Sequence, residues 1–227
     1  IFRKVGFFVA FILPGLVVTG FYLDGMWNYL ALFFAFFVLP ILDQSIGIDT
    51  SNVPKEKAKI VGEEFYYRFV TYVWTYVQVA MVVWGAYAAT TRKLDSLWEW
   101  LGFILSFSLV SGGIGITVAH ELGHKKQAIE RLYSKLLLMT VCYMHFYIEH
   151  NRGHHVAVAT PEAPATARKN ETFFAFWFRS VFHGYRHAWH LENESLRNKG
   201  QSEISLKNEM IWFATLPLLF CLLLTVI

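Results

Sequence analysis

Long runs of apolar residues restrict this chain to one kind of fold. Four runs, at about 5–23, 27–42, 70–90 and 97–119, carry almost no charged side chains, and a fifth covers about 210–227. A helix needs roughly 20 mostly apolar residues to cross the hydrocarbon core of a bilayer. Lipid offers the backbone no hydrogen-bond partners, so runs of this length and composition are expected to be helical. The sequence therefore predicts an all-α fold, a polytopic membrane helix bundle.

The composition agrees with a membrane protein. Of the 227 residues, 55% are hydrophobic and 18% aromatic, and the mean hydropathy of +0.38 is too high for an ordinary soluble domain. The net charge of +3 does not predict nucleic-acid binding, because the basic residues lie in loops that flank the apolar runs. The chain begins at Ile1 and ends inside an apolar run. We expect a fragment of a longer protein that forms one membrane-embedded catalytic domain over 1–227.

The basic residues predict an orientation. With a cytoplasmic N-terminus, 18 of the 20 Lys and Arg residues lie on the cytoplasmic side, and only Arg92 and Lys93 lie outside. This distribution follows the positive-inside rule. It predicts that 120–207 is a cytoplasmic helical region.

Two histidine clusters lie in that region. The first is His-Glu-Leu-Gly-His-Lys at 120–125, and the second is Glu-His-Asn-Arg-Gly-His-His at 149–155. His120 and His124 are four residues apart, so both lie on one face of an α-helix. By the same spacing His150 and His154 share a face, and His155 is expected to project elsewhere if the α-helix continues.

The number of histidines predicts metal binding. The candidate ligands, five imidazoles within 36 residues, are His120, His124, His150, His154 and His155. A zinc site uses at most four protein ligands, so five indicate more than one ion or one unusually histidine-rich centre. Imidazole binds Fe, Cu, Ni and Zn alike, and ligand type alone does not select the metal.

The two clusters share a site only if the chain between them does not cross the membrane. Residues 132–148 are apolar enough to suggest a span, but they include Lys135 and His145. Charged groups facing lipid are costly. We therefore expect a helix that is buried in the protein or lies near the interface, and that returns the second cluster to the first.

Two other functions fit part of this pattern. His-Glu-Leu-Gly-His also matches HExxH, in which the Glu is the general base of a zinc protease. That function leaves the second cluster unexplained, because three protein ligands and a water suffice there. A membrane metal carrier would place ionisable residues inside its spans, and the first four apolar runs contain none beyond their ends.

The two clusters resemble the first two histidine boxes of the membrane-bound alkane 1-monooxygenases. The resemblance continues through His-Phe-Tyr-Ile-Glu-His at 145–150 and Val-Ala-Thr-Pro at 158–161, and includes Tyr-Tyr-Arg at 66–68 and Ala-Trp-His-Leu-Glu at 188–192. Fatty-acid desaturases share a looser pattern, but the Gly-His-His form and the Ala-Thr-Pro tail favour the alkane hydroxylases. Ala163 departs from this family, which usually has Asp there.

The resemblance implies a specific activity. It implies terminal hydroxylation of alkanes with O2 at a non-haem centre of two Fe ions, with electrons from rubredoxin, in the bacterial inner membrane. The alkane would enter from the bilayer, and membrane lipid would surround the protein. It also implies further histidine motifs beyond Ile227. A fatty-acid desaturase or hydroxylase with the same type of centre is the alternative, and a HExxH protease is a more distant one.

Several nearby residues keep open roles, and no catalytic side chain is assigned. His183, His187 and His190 could share one helical face as a third box, although the resembling family does not use this stretch, and a solvated helix is the expectation. His145, Glu121 and Glu149 neighbour the ligands and are expected to support them by hydrogen bonds. Cys142 and Cys221 are expected to be buried small hydrophobes, with no disulfide framework.

Overall fold

The computed structural model describes residues 6–47, 54, 56, 60, 64–92, 94–161 and 163–226. These residues form helices joined by turns, with no strand among them, so the predicted all-α fold is confirmed. The chain divides after Val118 into two compact units. The predicted single domain over 1–227 stays a prediction.

The fully described helices of the first unit are three whole ones and most of a fourth. They are α1 Phe7–Leu23, α2 Gly25–Ile46, α3 Phe65–Thr91 and α4 Leu97–Gly123. The division between the units falls inside α4. The second unit holds α5 Ala128–Thr140, α6 at 146–157, α7 Phe173–Asn198 and α8 Glu209–Leu224.

Among the described residues, three helices are long and apolar enough to cross a membrane. They are α2, α3 and α4, and they confirm a membrane helix bundle. Two other predicted spans, 5–23 and 210–227, correspond to the shorter apolar helices α1 and α8. Residues 5 and 227 lie outside the described part of the chain. The same holds for basic residues used in the orientation argument: Arg3, Lys4, Lys55, Lys57, Lys59 and Lys93.

A close backbone approach joins α1 to the start of α2. Gly20 is buried on α1, where a Cβ would overlap the carbonyl oxygen of Trp27. The Ser106 hydroxyl on α4 donates a 2.7 Å hydrogen bond to the Asn28 carbonyl oxygen. Small residues permit such close helix packing in membranes. The start of α2 is thereby held against both α1 and α4.

The second unit packs around α6, the helix that carries the second histidine cluster. Ile148 on α6 and Ala188 on α7 are fully buried, as are Leu137 and Leu138 on α5. α5 ends at Thr140, well short of the length of a span, and Cys142 in the following turn has a positive φ of 55°. The chain therefore turns into α6 soon after α5, as expected for a segment that does not cross the membrane.

Replacing Gly20 with alanine should destabilise the first unit. The new methyl group meets the Trp27 backbone, which cannot move as a side chain can, and overpacking of this kind costs about 1–3 kcal/mol. Gly15→Ala on the same helix is the matched control, because nothing lies within 4 Å of a Cβ there. Thermal unfolding in detergent measures both. Equal melting temperatures for the two variants would contradict this packing.

Candidate metal centre

Four histidine side chains meet in the second unit. The Nε2 atom of His124 lies 3.2 Å from that of His120, 3.2 Å from that of His150 and 3.4 Å from that of His155. The Nε2 atoms of His150 and His155 are 3.1 Å apart. The prediction that the two clusters converge is therefore confirmed for these four residues. The residues between the clusters return the chain to the first, as the sequence indicated.

These separations match nitrogens that share a metal ion. A metal–imidazole bond is about 2.1 Å, so two such nitrogens at a right angle around one ion lie roughly 3.0 Å apart. The observed range of 3.1–3.4 Å is close to that value. One set, formed by His120, His124 and His150, keeps its ligand atoms within 4.8 Å of one another. The donor set and its spacing both fit a metal centre.

A π-helical turn determines which histidines of the second cluster meet. Residues Glu149–His154 form a π-helix. Its hydrogen bonds join residues five apart, so residues at i and i+5 lie on one face. His150 and His155 therefore face each other. His155 was expected to project elsewhere only if an α-helix continued, and that condition is not met because this segment is π-helical.

His154 is placed differently from the other four candidate ligands. Its ring stacks on that of His150, with centroids 5.3 Å apart and an interplanar angle of 20°. Its Nδ1 atom is buried with no hydrogen-bond partner among the described residues. A buried imidazole nitrogen without a partner is unusual. His154 thus keeps a free ligand atom at the edge of the cluster.

Both clusters are held by ordinary packing. His120 and His124 lie at the end of α4, where the Ala119 carbonyl oxygen accepts a 2.6 Å hydrogen bond from the Ser134 hydroxyl of α5. The Phe146 ring stacks on the His150 ring, with centroids 4.8 Å apart and an interplanar angle of 19°. Gly153 is buried beside α7, where a Cβ would lie 2.8 Å from the His187 ring. Its missing side chain lets α6 pack closely on α7.

The environment lowers the pKa of two of the clustered imidazoles, those of His124 and His150. Burial and the neighbouring histidines His120, His155, His124 and His154 lower the pKa of His150 to about 3. Burial, then His120 and His155, also lowers the pKa of His124. Metal ions bind the neutral imidazole. The site is thus electrostatically prepared to bind cations.

A charge network anchors the second cluster. Arg152, inside the π-helix, forms ion pairs with the buried Glu192 of α7 and, at 3.3 Å, with Glu209 of α8. Glu192 also accepts a 3.1 Å hydrogen bond from the Glu209 backbone N–H. Lys135 of α5 pairs with Glu209. Four helices are therefore joined at the histidine cluster through charged side chains.

Most of this network was not predicted from the sequence. Glu192 was noted only as part of the Ala-Trp-His-Leu-Glu stretch at 188–192, and Glu209 was not singled out. One signal was available: Lys135 lies in an apolar segment, and a charged side chain there requires a partner. The partner could not be identified from the sequence, because Glu209 is 74 residues away.

The other flagged residues lie outside the four-histidine contact. Glu121 is exposed and pairs with Lys125 at 2.5 Å. His190 is exposed and lies 3.9 Å from Glu194, and His183 is also exposed, as expected for a solvated helix. The two cysteines are exposed rather than buried, with Sγ atoms 3.6 Å apart. Their predicted burial was wrong, because both side chains lie on the surface of the second unit, one in the turn after α5 and the other near the end of α8.

Comparison with known proteins adds a family. The sequence model described as fatty acid desaturase matches residues 95–227. Alkane 1-monooxygenase 2 of Pseudomonas aeruginosa is 37% identical over 86% of this chain and 52% of its own length. Alkane 1-monooxygenase of Pseudomonas putida is 40% identical over 77% of this chain and 43% of its own length. Alkane 1-monooxygenase 1 of Alcanivorax borkumensis is 35% identical over 87% of this chain and 50% of its own length. The chain spans about half the length of these curated relatives.

Single alanine substitutions of the five histidines should lower metal binding by the full-length protein. Loss of a group that supports a ligand already costs 10–100-fold in affinity, so loss of a ligand should cost at least about tenfold. Metal analysis of the purified protein measures the effect for His120, His124, His150, His154 and His155. His190→Ala is the control, because His190 is exposed and has an acidic neighbour on its own helix. If one of the five variants retains its full metal content, the histidine substituted in it is not a ligand.

Removing the buried carboxylate of Glu192 should destabilise the second unit. Glu192→Gln leaves Arg152 without its most buried acidic partner, and we expect a loss of about 1–3 kcal/mol, because Arg152 itself is partly exposed. Glu203→Gln is the matched control, because its pair with Arg197 is exposed and such pairs contribute about 0–1 kcal/mol. Denaturant unfolding compares the two. A smaller effect at Glu192 would refute the anchoring role of the network.

Proposed function

This chain belongs to the fatty acid desaturase family, and from that premise we propose that it acts as a membrane alkane 1-monooxygenase. It converts medium- to long-chain alkanes into primary alcohols with O2. The convergence of four imidazoles at metal-ligand spacing carries this proposal. The similarity to alkane 1-monooxygenases over most of the chain supports it.

The histidines would hold two Fe ions. The ligands supplied by this chain are His120, His124, His150, His154 and His155. Bound iron supplies the oxidising chemistry with O2, because no side chain is strong enough to attack an alkane C–H bond. Four imidazoles share one contact region, and His154 keeps a buried free nitrogen beside it. His154 would supply a ligand to the second ion.

The surrounding residues bind and orient rather than react. Arg152, fixed by Glu192 and Glu209, holds the π-helix, and Phe146 packs against the His150 ring. The aromatic ring covers one side of that ligand. The alkane dissolves in the bilayer, and we propose that it reaches the centre from the lipid.

The product distinguishes this proposal from its nearest rival. The full-length protein in membranes, supplied with O2 and an electron donor, should convert a linear alkane into the 1-alcohol, identified by mass spectrometry. A fatty acyl substrate should give no unsaturated product. Desaturated acyl chains without any 1-alcohol would contradict the proposed function and favour a desaturase.

We further propose rubredoxin as the electron donor, docking on the cytoplasmic side of the bacterial inner membrane. Rubredoxins are small and acidic, and the exposed basic residues Lys126, Arg168 and Lys169 lie in the unit that holds the histidines. Lys125 and Arg152 already pair with acidic side chains. We propose that Lys126, Arg168 and Lys169 offer their charge to the donor protein.

Charge reversal at this surface should weaken docking. The double variant Lys126→Glu, Lys169→Glu should raise the KM for rubredoxin several-fold and leave the KM for alkane unchanged, because complementary charge speeds encounter. Wild-type turnover with limiting rubredoxin should fall as salt is added. Lys199→Glu, Lys207→Glu makes the same change in net charge and is the control. A flat salt profile would exclude electrostatic docking.

A further inference from the structure

A cavity of about 90 Å³ lies beside the histidine cluster, inside the second unit. It is enclosed by the start of α6, the loop at 164–165 and the first half of α7. His145, Glu149 and Ser180 supply polar groups to its wall, and Phe146 supplies an apolar side. The same Phe146 ring stacks on His150. The cavity is therefore one aromatic ring away from a candidate ligand.

Two buried polar atoms of its lining residues have no hydrogen-bond partner among the described residues. They are His145 Nε2 and Glu149 Oε1, on side chains that are more than nine-tenths buried. A third, His187 Nδ1, lies 3.6 Å from Glu149 Oε1, beyond hydrogen-bond distance. Buried polar groups in proteins are nearly always satisfied, by protein or by ordered water. Because His145 and Glu149 both line the cavity, their unpartnered atoms indicate a bound ligand there.

Water fits this cavity best. A volume of about 90 Å³ holds about three waters, at about 30 Å³ each. A metal ion fits less well, because the group of possible metal ligands found among the described residues, His120, His124 and His150, includes no residue that lines this cavity. Burial lowers the pKa of His145 to about 4, so its ring is neutral and offers water both a donor and an acceptor.

The position of the cavity gives this water a role. Ala165 in its wall is exposed, whereas Glu149 at its inner side directly precedes His150. A chain of waters here would connect the surroundings of the protein to the edge of the metal centre. Such a connection matters for the proposed reaction, in which alkane, O2, two electrons and two protons give alcohol and water. The electrons come from the one-electron donor, and the protons must come from solvent.

We propose that this cavity binds an ordered water cluster, held by His145 and Glu149, that conducts protons toward the metal centre. The proton role rests on the proposed monooxygenase function, whereas the water site does not. The side chains hold the water in place, and the waters carry the protons.

The occupancy of the cavity is tested directly. A high-resolution cryo-EM map of the full-length protein should show water density within hydrogen-bond distance of His145 Nε2 and Glu149 Oε1. An empty cavity, or side chains that satisfy one another, would overturn the proposal. This measurement does not depend on turnover. If the wild-type protein forms no alcohol, the proposed function is refuted, but the test of the water site remains valid.

The proton role is tested by filling the cavity. Ser180→Leu and Ala165→Leu each place an apolar side chain where the water would lie, from two different elements. We expect normal iron content, about tenfold slower turnover and a larger solvent deuterium isotope effect. If Ser180→Leu fails to fold, Ala165→Leu still tests the proton role. Ala175→Leu is the matched control, because it adds the same bulk at an exposed position on α7.

Three readouts together separate proton supply from general damage. Iron content and melting temperature report whether the filled variants still fold and load metal. The isotope effect reports whether proton movement limits turnover, and a purely structural defect would not raise it. Filled variants that match the Ala175→Leu control in rate and isotope effect, at equal iron content, would refute the proton role.

Discussion

The π-helical turn at Glu149–His154 is the constraint on which the candidate metal centre depends. An α-helix would align His150 with His154 and direct His155 away. The wider turn instead aligns His150 with His155, and both meet His124 from the end of α4. π-helical turns are rare and occur frequently at functional sites. Here the unusual hydrogen-bond pattern has a definite consequence, because it selects which imidazoles share the contact region.

Such a turn requires support, because its backbone is less regular than an α-helix. Arg152 within the turn is fixed by Glu192 and Glu209, and Gly153 permits α7 to approach closely. Breaking a buried ion pair is more costly than the pair's own net contribution, since the remaining charge loses its compensation. The network therefore makes the position of the second cluster sensitive to three other helices. That coupling explains why a metal site can depend on residues that touch no ligand.

The second unit contains two chemically different environments around α6. On one side, neutral imidazoles converge and offer lone pairs to cations. On the other, a small cavity presents buried polar atoms that lack partners. Phe146 belongs to both, since it lines the cavity and stacks on His150. Phe146 thus lies between a site suited to metal and a site suited to water.

The sequence by itself determined the class of fold and the identity of the candidate ligands. Long apolar runs in lipid form helices, because the backbone must satisfy its own hydrogen bonds there. The spacing of His120 and His124 places both on one face of an α-helix. Tertiary structure alone decided how the second cluster is arranged. His155 faces His150 because of a π-helical turn, and Arg152 pairs with Glu209, which lies 57 residues further along the chain. Local periodicity cannot reveal either, because a change in helix type and a distant charge partner depend on how the helices pack.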